Sequence, residues 1–146
     1  MIWKTILAPL ALASWSVLCQ HPAHAAAQHF KCPNSLPSGS VKITASAGWK
    51  AHVDGPIHLS CVGMTAGPPE SMAVLRGEPL HRKGEPESVA YRLVDGFPEG
   101  KWLDCHYGDG GDLQISKRID DRFQRCVVTE VKSPSRGRKK FDIVCE

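Results

Sequence analysis

The chain has little net charge, no long amphipathic stripe and no second apolar run, and each lack narrows what it can be. Lys and Arg number 18 against 15 Asp and Glu, and a formal net charge of +3 is too small for the electrostatic footprint of a nucleic-acid binder. No segment after residue 19 is apolar for the ~18 residues that a spanning helix needs, so no transmembrane segment is expected in the mature chain. No 3.6-residue periodicity runs far enough to make a confident helix. There is no internal repeat and no low-complexity tract, and a composition of 42% hydrophobic and 23% charged residues excludes disordered and collagen-like chains.

Catalytic signatures are missing as well. Neither G-x-S-x-G nor H-E-x-x-H occurs, and no cofactor fingerprint is present, so no enzyme and no cofactor is expected. Gly108-Asp109-Gly110-Gly111-Asp112 lacks the spacing of a calcium loop. A glycine-rich hairpin tip explains it without an ion.

What the chain does have is 6 Cys, 11 Pro and 13 Gly in 146 residues, the make-up of a loop-rich, stapled domain. Its first 25 residues read as a secretory signal. Lys4 is the only charge before Lys31, residues 6–19 are uncharged and mostly apolar, and Ala23-His24-Ala25 and Ala25-Ala26-Ala27 are A-x-A cleavage sites. Pro9 and the polar His21-Pro22 argue against a buried helix there. Lipid attachment at Cys19 is disfavoured, because Leu18 stands where a small residue is needed and Ser16 where a large aliphatic is expected. The expected product is a periplasmic domain of residues 26–146.

Five cysteines remain after cleavage: two disulfides and one free thiol in an oxidising compartment. Strand-like segments rich in β-branched and aromatic residues recur at 41–45, 49–53, 57–62, 88–94, 101–107, 113–116, 123–131 and 140–145, with turn clusters between several of them. This predicts an all-β fold, an antiparallel meander forming a small sandwich or barrel. The irregular stretch 64–87, with a helical turn or two at 71–76, is long enough to be functional.

Alternation refines the first hairpin. A three-residue loop at 54–56 sets Val53 against Ile57, Ala51 against Leu59 and Trp49 against Cys61. Cys61 then faces the core and is the candidate free thiol. The same register sets His52 opposite His58 on the outer face, where the two could share a transition metal or simply stand exposed. In 101–107, Leu103, Cys105 and Tyr107 look inward, leaving Trp102, Asp104 and His106 in a row suited to recognition or, with a nucleophile, to acid–base work. Arg136-Gly137-Arg138-Lys139-Lys140, Lys117-Arg118 and Arg122 make one end basic, as a solvated face or an anion-binding one. The bridging cysteines Cys32, Cys105, Cys126 and Cys145 allow three pairings. Cys32–Cys145 with Cys105–Cys126 is preferred. Cys126–Cys145 is disfavoured, because setting Val127 beside Ile143 would put those two cysteines on opposite faces.

Several of these residues together resemble an uncharacterised family of small exported proteobacterial proteins named after a locus tag. They are Cys32-Pro33, Trp49, Gly67-Pro68-Pro69-Glu70 with Leu75, Trp102-x-x-Cys105-x-Tyr107, Cys126 and Phe141-x-x-x-Cys145. The resemblance implies a periplasmic protein and carries no activity with it. The expected role is a binding module for a periplasmic or envelope protein, such as a cell-wall hydrolase or toxin. Trp102, Asp104, His106, Pro68, Pro69 and Glu70 are its candidate contacts. A small envelope enzyme or metal binder, and a structural accessory of an envelope assembly, are the alternatives.

Overall fold

The computed structural model describes residues 26–81 and 83–146; the expected signal segment 1–25, with Cys19, lies outside the described residues. Among the described residues nine strands follow in chain order: β1 (Gln28–Phe30), β2 (Ser35–Leu36), β3 (Ile57–Ala66), β4 (Glu78–Leu80), β5 (Ser88–Arg92), β6 (Lys101–Tyr107), β7 (Leu113–Ile119), β8 (Arg125–Val131) and β9 (Lys140–Cys145). All pairings are antiparallel. They form a five-stranded sheet, β1-β9-β8-β5-β4, and a four-stranded sheet, β2-β3-β6-β7. The all-β expectation holds, and of its two forms the sandwich is the one realised, not the barrel.

The two inner faces supply the core. Leu59, Val62, Met64, Leu103, Cys105 and Tyr107 come from the four-stranded sheet, and Tyr91, Leu93, Val128 and Ile143 come from the other sheet or its margin. Each such burial is worth about 1.5–3 kcal/mol. Phe30 and Phe123 meet edge to face at 5.8 Å. Tyr107 donates its phenol proton to the Pro33 carbonyl at 2.9 Å, and burial raises its pKa. Lys101 enters the core margin, donating to the carbonyls of Asp121 (2.7 Å) and Phe123 (2.6 Å). Burial lowers its pKa, against the opposing pull of Asp121 and Asp120. The sheet edges carry their own markers: Pro79 sits in edge strand β4, and Lys117 and Arg118 sit in edge strand β7.

Four expectations need correction. Residues 41–45 and 49–53 form no strand, and Trp49 stands 78% exposed. The edge of β3 that the second segment would need is taken by β2, which pairs Ser35 with His58 and Leu36 with Ile57. His52 therefore does not face His58; His58 contacts Arg138 instead. Cys61 is exposed, not core-facing. A bulge between Leu59 and Cys61 inserts Ser60, so the ladder passes from Leu59↔Tyr107 to Cys61↔His106 and the inward phase moves to Val62 and Met64. Finally, the disulfides are Cys32–Cys105 and Cys126–Cys145. Strand β8 meets β9 with Val127 opposite Val144, one residue away from the expected register, which sets Cys126 directly opposite Cys145 with Cα atoms 4.1 Å apart.

The stretch 64–87 is less irregular than expected. Strand β3 runs on to Ala66, a 3-10 turn covers Pro69–Ser71, and β4 follows. No helix forms at 71–76; the chain there pairs with β3 instead, through a bridge between Val74 and Thr65.

Candidate functional site

The outer face of the four-stranded sheet gathers most of the candidate residues. Opposed residues of a ladder share a face. The registers therefore place Val74, Thr65, Trp102 and Arg118 in one row, Gly63, Asp104 and Ser116 in the next, and Cys61, His106 and Gln114 in a third. Strand β6 lies between β3 and β7, which puts Trp102, Asp104 and His106 in the middle of this face.

A rigid loop borders the first row. The Ala66 amide donates to the Ala73 carbonyl and the Leu75 amide to the Met64 carbonyl, each at 2.9 Å. Thr65, buried beneath, donates its hydroxyl to the Gly67 carbonyl (3.0 Å), and Ser71 donates to the Pro68 carbonyl (2.7 Å). Pro68, Pro69 and Glu70 occupy this 3-10 turn. It ends at Met72, the only non-glycine residue with positive φ among the described residues. The loop thus presents Met72 and Val74 to solvent, 82% and 76% exposed. A Cβ on Gly67 would press against the Glu99 side chain, and the Trp102 indole donates to the Glu99 carbonyl at 3.1 Å. Loop 67–75, the turn at 95–100 and Trp102 therefore form one continuous patch.

The other two rows are polar. His106 is half-buried, with its Nδ1 on the Gly111 carbonyl at 3.2 Å. Its own carbonyl accepts the Ser60 hydroxyl at 3.0 Å. Asp104 departs from simple alternation: it is only 1% exposed although it is on the outer face, and its Oδ1 has no hydrogen-bond partner. Burial raises the pKa of the Tyr91 phenol, and the charges of Cys61 and Asp104 add to that shift.

The structure does not gather the remaining candidates there. His52 lies in the exposed stretch 41–56, and His58 lies beside Arg138, Lys139 and Lys140 at the basic end. Among the described residues, no group of three or more His, Cys, Asp or Glu is placed to hold a metal ion, and no helix is long and apolar enough to cross a membrane. Sequence reasoning missed Met72 and Val74, whose strong exposure depends on the bridge to Thr65. It also missed a concavity of about 560 Å³ on the other sheet, bordered by Ala27, Glu78, Ala90, Arg125 and Glu146. Those residues are remote in sequence, and nothing in their local pattern announces the concavity.

Residues 54–146 match the family model described as Type VI secretion system Tli immunity protein. No curated protein and no solved structure matches the chain. The match overturns the resemblance to an uncharacterised locus-tag family, because this family is named and has a known role. The family is one of non-enzymatic inhibitors that bind a cognate type VI effector and act in the periplasm.

Proposed function

The chain belongs to the Type VI secretion system Tli immunity protein family, and from that premise we propose that it binds and inhibits a Tle lipase effector in the periplasm. Residues 1–25 would serve as its export signal, and two disulfides suit the oxidising compartment. The observation that carries the choice of surface is the row Val74, Thr65, Trp102 and Arg118, continued by Met72. It sets exposed apolar side chains beside an aromatic centre and a cation. Binding energy concentrates on such aromatic and arginine anchors. A lipase must offer apolar surface to acyl chains, which suits Met72 and Val74. The loop is already hydrogen-bonded in place, so little entropy is lost when it docks. Pro68, Pro69 and Glu70 hold its shoulder, while Trp102, Asp104 and His106 form the adjoining sheet surface.

The test is co-production of this protein with Tle lipases directed to the periplasm. Protection against one lipase, with a stable complex on gel filtration, is the expected result. Met72→Asp with Val74→Asp should abolish both while leaving the melting temperature unchanged. Absence of protection and of a complex across the lipase class would refute the function. Full protection by the double variant would refute the surface.

A further inference from the structure

Two features at one end of the sandwich take no part in the effector surface. The first is the loop between β8 and β9. Residues 132–140 hold Lys132, Arg136, Arg138, Lys139 and Lys140 and no acid, and all five cations are exposed. Lys139 meets Glu130 at 3.1 Å and Arg138 contacts His58, whereas Lys132, Arg136 and Lys140 form no ion pair among the described residues. The acids bordering the loop are Glu87, Glu130 and Asp109, and of these Glu130 alone is ion-paired with it.

The second feature is the arm 41–53. Residues 42–52 are exposed without interruption. Its two limbs lie side by side, with Val41 and Ile43 bordering the same hollow as Ala51, His52 and Val53. A turn joins the limbs: the Trp49 amide donates to the Ser46 carbonyl at 3.0 Å, and Gly48 supplies the positive φ of 84°. Trp49 is thereby held 78% exposed, and Ile43 is 54% exposed. Lys42 and Lys50 are their neighbours in sequence, and no Asp or Glu occurs anywhere in 26–53. The arm returns to the sandwich through Pro56, Ile57 and His58, which share a hollow with Gly137 and Lys139. Arm and loop therefore leave the fold at the same end.

Chemistry selects what meets this end. Cations alone would suit any acidic face. An exposed indole and an isoleucine beside them call for an apolar phase directly behind the anions, and a phospholipid surface presents both. Trp favours that boundary, and a polybasic patch with apolar insertion gives the two signals that stable attachment takes. Thr65, with Val74 bridged to it, lies at the other end of β3, about 20 Å from His58 at the rise of a strand. Lipid at one end thus leaves the Met72/Val74 patch open. We propose that the arm 41–53 and the loop 132–140 seat the protein on an anionic phospholipid membrane. Trp49 and Ile43 enter the interface, and the loop cations meet the phosphates. A lipase works at a lipid surface, and this seating holds the protein on the same surface. The inference goes beyond the immunity reading and does not depend on it.

The experiment uses the protein purified from the periplasm, without residues 1–25, and vesicles of phosphatidylcholine with or without one part in four of phosphatidylglycerol. Co-sedimentation should occur with the anionic vesicles alone and weaken as salt rises. Each cation near such a surface favours binding by about fivefold, so Lys132→Gln/Arg136→Gln/Lys140→Gln should bind about 100-fold more weakly. Its melting temperature should not change, because none of the three is ion-paired. Tryptophan emission should shift to the blue on the anionic vesicles, and Trp49→Phe, which keeps Trp102, should abolish the shift. No binding to anionic vesicles, equal binding to both kinds, or undiminished binding by the triple variant would overturn the proposal. So would a blue shift that persists in Trp49→Phe. A triple variant that loses inhibition of a Tle lipase, in a protein that ignores vesicles, would make this end an effector surface and refute the membrane. Vesicle binding as expected by a protein that inhibits no Tle lipase would refute the immunity reading and leave the membrane-seated end standing.

Discussion

Removing the two disulfides, separately and together, tests how the sandwich is tied. Cys32–Cys105 spans a sequence separation of 73 residues and fastens the link between β1 and β2 to the centre of the four-stranded sheet. Cys126–Cys145 spans 19 residues and joins neighbouring strands. The chain-entropy relation gives about 4 kcal/mol for the longer loop and about 3 kcal/mol for the shorter. The two loops follow one another along the chain without overlapping, so their contributions should add to about 7 kcal/mol, comparable with the whole stability of a domain this size. Replacement by alanine also removes buried sulfur, so the measured losses should be no smaller. The assay is urea unfolding of Cys32→Ala/Cys105→Ala, of Cys126→Ala/Cys145→Ala and of the quadruple variant, in oxidising buffer. The quadruple variant should be largely unfolded without urea. A loss below about 1 kcal/mol for the Cys32/Cys105 pair, or a quadruple variant as stable as either pair, would refute the reasoning.

Three further predictions concern single side chains. Ile143 is fully buried, so Ile143→Ala should cost about 2–5 kcal/mol by emptying the core, read as a lowered urea midpoint at unchanged slope. Cys61 is exposed and unpaired; a thiol reagent should label it in the native protein at one equivalent, and Cys61→Ser should shift stability by less than about 0.5 kcal/mol. Resistance to labelling would mean that the Ser60 bulge is absent. Hydrogen bonds from Arg122 hold the Asp120 carboxyl down from 3.8 to about 2. Its contribution is present above the unfolded value and disappears as pH falls from about 4 toward 2. Solvent exposure keeps it small, and Asp120→Asn should flatten acid unfolding in that window alone.

Local pattern was enough to mark much of the sandwich. In 101–107 the period of two put Leu103, Cys105 and Tyr107 on the buried face, because that strand contributes no bulge residue of its own to either ladder; the one extra residue belongs to β3. The same rule failed in 57–62, where one extra residue, Ser60, reverses the phase and turns Cys61 outward. The 49–53 segment alternates convincingly and still forms no strand, because β2, only two residues long, already occupies the edge it would need.

By itself, then, the sequence determined the class of fold, the oxidisable character of the chain and the face of its central strand. These follow from composition and from side-chain period, which are local properties. Tertiary structure alone decided which cysteines bond, because a shift of one residue between β8 and β9 moves Cys126 from the wrong face to a position opposite Cys145. It alone also carried Val74 into the row of Trp102 and left Asp104 buried across from Gly63. Register, edge occupancy and the covering of one side chain by another depend on strands distant in sequence, so no window along the chain contains them.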